Sequence, residues 1–71
     1  MSNSRTQKLA SNIRAERHRK GISQEFLSEK INISTRSISA IENGHQIPSV
    51  IVVKDIADVL GIDINILLQD V

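Results

Sequence analysis

The sequence predicts an all-α protein of five short helices, and three observations carry that expectation. Apolar residues recur at spacings of three and four across most of the chain. No stretch alternates apolar and polar residues as a half-buried strand would; "VIVV" at 50–53 is β-branched but lies inside a longer helical period. The periodic segments are punctuated by residues that start helices (Ser23, Ser34, Ser49 and Asp63) and residues that stop them (Gly21, Asn32, Gly44 and Gly61).

Taken in order, "MSNSRTQ" is polar and aperiodic, so residues 1–7 are expected to form a flexible N-terminal tail that frays into the first helix. Leu9, Ala10, Ile13 and Arg17 then recur at helical spacing up to Lys20, and Gly21 follows a basic last turn. Ser23 caps the second helix, Glu25 suits its first turn, and Leu27 and Ile31 mark its inner face. That helix stops near Asn32, a residue that tolerates the left-handed conformation. Ser34 caps the third helix, which runs to about Asn43 and exits at Gly44. Pro48 and Ser49 open the fourth, with Val50, Val53, Ile56, Ala57 and Leu60 on one side and Gly61 as its break. Asp63 caps a short fifth helix containing Ile64, Leu67 and Leu68.

A chain of 71 residues forms one domain at most. At this size only ~60% of the unfolded surface is buried on folding, so stability is marginal and a second chain covering leftover apolar surface would help. Cysteine is absent, which excludes disulfide staples and thiolate metal sites. The longest apolar run is far too short to span a bilayer, and no apolar core of a signal peptide follows the basic N-terminal part. The expectation is a soluble cytoplasmic protein with no membrane association. Net charge is only +1, but its distribution is lopsided. Arg5, Lys8, Arg14, Arg17, Arg19 and Lys20 face a single Glu16 in residues 1–20, whereas residues 49–71 set Lys54 against Asp55, Asp58, Asp63 and Asp70. One end can approach a polyanion while the other stays away.

The second and third helices are joined by a turn of two or three residues. So short a link makes them cross at a wide angle, which is helix-turn-helix geometry. Ser28 supplies the small side chain a close crossing needs. The third helix has an unusual outer face: Thr35, Arg36 and Ser39 without an acid until Glu42, where a solvated helix ordinarily mixes lysine and glutamate. Such a helix projecting from the body can enter a major groove ~12 Å wide.

At this point "RAERHRKGISQEFLSEKINISTRSISAIENGHQIPS" resembles the phage-repressor-like, XRE-type (Cro/CI) helix-turn-helix family. The matching anchors are "KGISQ", Leu27, Ile31, Ile33 with Ser34, "IENG", "IPS" and "IADVLGI", in fixed order over roughly residues 8–68. Asn32 stands where the family usually has Gly and Ser28 where it usually has Ala; both suit the physical demand at those sites. The resemblance implies a lambda-repressor-like five-helix DNA-binding domain over residues 8–71, with the helix-turn-helix at helices two and three and the C-terminal helices as a dimer surface. It implies that Thr35, Arg36, Ser39 and Ala40 face base edges. Arg36 is the strongest candidate, since a guanidinium can donate twice to guanine O6 and N7; the alternative is that it is merely solvated or contacts phosphate. Thr35 can offer thymine a hydroxyl or a methyl, and Ala40 only apolar contact. Ser23 and Gln24 at a helix N-terminus, and Asn43, His45 and Gln46 after the third helix, are the expected phosphate contacts. Arg17 and Glu42 are expected to form the buried ion pair joining the first and third helices. DNA contact by Arg14, Arg19 or Lys20, or by a tail carrying Arg5, stays open beside a solvated alternative.

Apolar residues remain once the core is assigned. Ile47, Ile51, Val52, Val59, Ile66 and Val71 are left over, and a cluster of such residues suggests a homodimer interface. Catalysis is not expected: His18 and His45 are far apart, no carboxylates sit at ligand spacing, and no glycine loop cradles a phosphate. No cofactor, metal or small-molecule ligand is implied. The expected function is a double-stranded DNA-binding transcriptional regulator, a repressor binding a palindromic operator as a homodimer. The competing class is a protein-interaction module on the same fold, such as an antitoxin or a regulator controlled by a protein partner.

Overall fold

The computed structural model describes residues 4–71, which form five helices and, among the described residues, no strand. They are α1 (Ser4–Arg19), α2 (Gln24–Ile31), α3 (Thr35–Glu42), α4 (Val50–Leu60) and α5 (Ile64–Leu67). Side-chain oxygens of Ser23, Ser34 and Ser49 accept the backbone N–H of Phe26, Ser37 and Val52, satisfying donors that the helix itself leaves open. Asp63 does the same for Asn65 at 2.8 Å. Asn32 ends α2 with φ 58° and ψ 45°, the left-handed conformation that lets the chain reverse direction within three residues of α3.

Residues 4–7, expected in a flexible tail, are instead the first turn of α1. The reason is local support that composition does not reveal: Arg5 Nε donates to the Val71 carbonyl at 3.0 Å, and the Gln7 amide lies against Gly44. Residues 1–3 of the expected tail lie outside the described residues.

The core takes Leu9 and Ile13 from α1, Leu27 from α2, Ile38 and Ile41 from α3, Val53, Ile56, Ala57 and Leu60 from α4, and Leu67 from α5. Burial of each larger aliphatic contributes roughly 1.5–3 kcal/mol. Val50 does not belong to this set. At the first position of α4 it is 73% exposed, because the start of that helix overhangs the body. Val52, Val59 and Val71, expected to be left over at the surface, are half-buried against the core. Neighbours cover α4 from more than one direction: α1, α2 and α5 all pack on it.

The backbone of α3 runs close to α1 and α2 and not to α4 or α5, although Ile38 and Ile41 share the core with side chains of both. The acidic C-terminal third is thereby kept on other elements. Asn12 of α1 holds the far end of the chain, its Nδ2 donating to the Leu67 and Gln69 carbonyls at 2.9 Å each.

Candidate nucleic-acid interface

The turn between α2 and α3 is fastened at Ser28. Its backbone carbonyl accepts the N–H of Asn32 and of Ile33, the latter at 3.2 Å, and its side chain is buried at the crossing. Ser28 Oγ donates to the Glu25 carbonyl at 2.8 Å and lies 3.2 Å from Thr35 Oγ1. A serine hydroxyl therefore links the first residue of α3 to the interior of α2.

The two sides of α3 differ completely. Ile38, Ile41 and Glu42 are buried, while Thr35 and Arg36 are exposed and Ser39 and Ala40 half-buried. Arg36 forms no ion pair or hydrogen bond among the described residues, so its guanidinium donors face solvent. With no acid in the first turn of α3 and Glu42 turned inward, the outward side offers only hydroxyls, one methyl-bearing alanine and one cation.

Glu42 is held by two other helices at once, α1 and α2. Arg17 Nε donates to its Oε2 at 2.6 Å and Arg17 Nη2 to its Oε1 at 2.9 Å, a bidentate pair closed off from water. Gln24 Nε2 adds a third donor to Oε1 at 3.1 Å. The remaining guanidinium nitrogen of Arg17 donates to the Ile22 carbonyl at 2.8 Å. The Glu42 hydrogen bond raises the Arg17 pKa above the ordinary guanidinium value, burial opposes it, and the Glu42 charge raises it further.

Of the expected phosphate contacts, Ser23, Asn43, His45 and Gln46 are exposed around the two ends of the helix-turn-helix, and Gln24 is half-buried. Gln24 has already committed one side-chain donor to Glu42, which composition could not indicate. The backbone N–H groups of His45 and Gln46 both donate to the Ala40 carbonyl and are committed within the chain. Arg14 is tied into the structure as well, because its Nη1 donates at 3.0 Å to the Glu42 carbonyl and satisfies an acceptor at the C-terminal end of α3. Its place one turn before Arg17 on the same helix face was the available signal.

Comparison with known proteins decides the family. A family model described as helix-turn-helix matches residues 13–67. The uncharacterized HTH-type transcriptional regulator YazB of Bacillus subtilis is 42% identical over 50 residues, spanning 70% of this chain and 72% of YazB. A second, YqaF of the same organism, is 39% identical over 59 residues, 83% of this chain and 78% of YqaF. The chain belongs to the XRE-type helix-turn-helix family.

Solved structures agree with that membership. The restriction-modification controller protein C.AhdI from Aeromonas hydrophila superimposes with a TM-score of 0.86 at 25% identity, over 92% of this chain and 98% of its own. The DNA-binding domain of BldD does so with a TM-score of 0.82 at 26% identity, over 96% and 99%. The XRE-type fold is a DNA-binding transcriptional-regulator fold, a class that is not enzymatic.

Away from the helix-turn-helix, this family member exposes an apolar patch before and at the start of α4. Ile47 is 71% exposed, Val50 73% and Ile51 69%. Ile66 and Leu68, near α5, are about two-fifths exposed. Phe26, the sole aromatic, is also partly exposed, with Lys30 Nζ 5.3 Å from its ring centroid. No helix among the described residues is long and apolar enough to cross a membrane.

Proposed function

We propose that this chain is a sequence-specific double-stranded DNA-binding regulator that represses transcription, binding a palindromic operator as a homodimer with residues 34–43 of each protomer in a major groove. One observation carries the reading: α3 presents Thr35 and an unpaired Arg36 to solvent while its single acid is turned inward onto Arg17. Arg36 is the reader of guanine, through O6 and N7. Thr35, Ser39 and Ala40 meet neighbouring base edges. Ser23, Gln24, Asn43, His45 and Gln46 position the duplex through its phosphates, Gln24 with the amide capacity Glu42 leaves free.

The dimer rests on the exposed apolar patch. The exposed Ile47 and Ile51, with Val50 next to Ile51 in the chain, are the core of the proposed interface, and Ile66 and the half-buried Val52, Val59 and Val71 complete the proposed set. Two copies related by a two-fold axis would place their α3 helices about one DNA turn apart, ~34 Å. Repression then needs only occupancy of the operator. Selection of binding sites from random duplexes at fixed salt tests this function: a palindromic consensus supports it, and equal retention of every duplex overturns it. A second reading, in which a regulatory protein rather than a second copy covers the patch, is supported by the same exposed side chains. A monomer in light scattering at high micromolar concentration, with and without operator DNA, would select it.

A further inference from the structure

We infer that Ser28, buried outside the DNA-facing surface, sets what Thr35 can read: by accepting the Thr35 hydroxyl proton it leaves Thr35 a hydrogen-bond acceptor toward DNA. Counting protons fixes the direction. A serine hydroxyl has one proton, and Ser28 gives it to the Glu25 carbonyl at 2.8 Å. The Ser28 and Thr35 oxygens form a hydrogen bond of 3.2 Å, long for two hydroxyls, to which one of them gives its proton. That proton belongs to Thr35. Ser28 is 6% exposed, so its hydroxyl is sheltered from exchange of this partner for water.

The consequence concerns base choice. With its proton committed, the Thr35 hydroxyl offers a base edge only lone pairs. It is matched to the exocyclic amino groups of adenine and cytosine and opposed by guanine, which presents O6 and N7, both acceptors. Thymine can meet the Thr35 methyl but not the hydroxyl, because O4 is also an acceptor. Ser28 is thus a positioning residue that fixes the hydrogen-bond polarity of the residue above it. Alanine at the same position would leave Thr35 free to turn and donate.

This inference rests on α3 being the base-reading element, and the test separates the two. Site selection from random duplexes at one salt concentration is run on the unaltered protein and on Ser28→Ala, Thr35→Val, the double variant and Arg36→Ala, with circular dichroism confirming helix content. The unaltered protein is expected to disfavour guanine at one position of each half-site. Ser28→Ala should raise guanine there roughly fivefold, the equivalent of one net hydrogen bond, with other positions unchanged. Thr35→Val keeps the methyl and removes the hydroxyl, so it should lose the discrimination outright, and adding Ser28→Ala should change nothing more. A Ser28→Ala consensus identical to that of the unaltered protein, with Arg36→Ala still altering one position, overturns the inference and leaves the DNA-reading function standing. Five indistinguishable, unselective profiles overturn both.

Discussion

Glu42 sits on the one helix proposed to enter a polyanion, and its burial against Arg17 is what makes an acid tolerable there. The two groups depend on each other unequally with context. Replacing Arg17 alone by Met strands a buried carboxylate, and urea denaturation should show a loss of about 3–5 kcal/mol. The double change Arg17→Met with Glu42→Met should lose much less, because no charge is left without its partner. The raised Arg17 pKa fixes the pH behaviour. A base whose pKa rises on folding keeps its full contribution at every pH below its unfolded value and loses it only as pH climbs through the folded one. The guanidinium therefore contributes no pH dependence near neutrality. Arg36 behaves in the opposite manner, since nothing among the described residues holds it. Arg36→Ala should leave the denaturation midpoint unchanged and remove about 1–3 kcal/mol of preference at one base pair, measured by titrating operator and single-base variants. Among single side chains, the sequence was legible where one acts alone and opaque where it acts with a distant partner. Arg17 and Glu42 are 25 residues apart, and only the family resemblance suggested their pairing. The further donors onto the same residue, from Gln24 and Arg14, had no anticipating signal strong enough to assign them.

The starts of α2 to α5 were legible because capping is a local matter, whereas α1 begins earlier than expected. A serine or aspartate either reaches the N–H two or three residues ahead or it does not, and Ser23, Ser34, Ser49 and Asp63 all do. Ser34→Ala should accordingly cost ~1 kcal/mol in thermal or urea unfolding. The turn glycines divide by surroundings. Gly44 has φ 76° and Gly61 φ 69°, so alanine at either position carries a left-handed cost of about 1–2 kcal/mol. A Cβ at Gly61 meets open space, whereas one at Gly44 runs into the Gln7 amide. The Gln7 amide is the far end of a flexible side chain and can swing aside, so Gly44→Ala and Gly61→Ala should cost about the same in paired unfolding curves. What periodicity could not convey was how far each helix is covered. Val50 keeps the phase of Val53 and Ala57 yet overhangs the body, while Val52 and Val59 lie off the assigned inner face and are still half-covered by neighbouring helices. A helical period fixes angles about one axis; it carries no information about which other axes lie alongside.

For the molecule as a whole, the lopsided charge in the sequence becomes a division between elements. The acids of residues 49–71 lie on or beside α4 and α5, whose backbones keep away from that of α3. Operator affinity should fall linearly on a log–log plot against salt, with a slope set by the number of phosphates contacted. Ile47→Lys with Ile51→Lys should leave the monomer folded, since neither side chain belongs to the core, and should shift light scattering to a monomer and weaken operator binding. The threefold grip on Glu42 has a further bearing on motion. An element that juts toward solvent would ordinarily flicker open on its own, but α3 cannot peel away without pulling the Glu42 carboxylate off three donors and leaving the Arg17 guanidinium without its partner in the remaining body. Its amide protons should therefore exchange with deuterium as slowly as those around Ile13, only when the entire molecule comes apart, and a rigid probe rather than a yielding one is what meets the duplex.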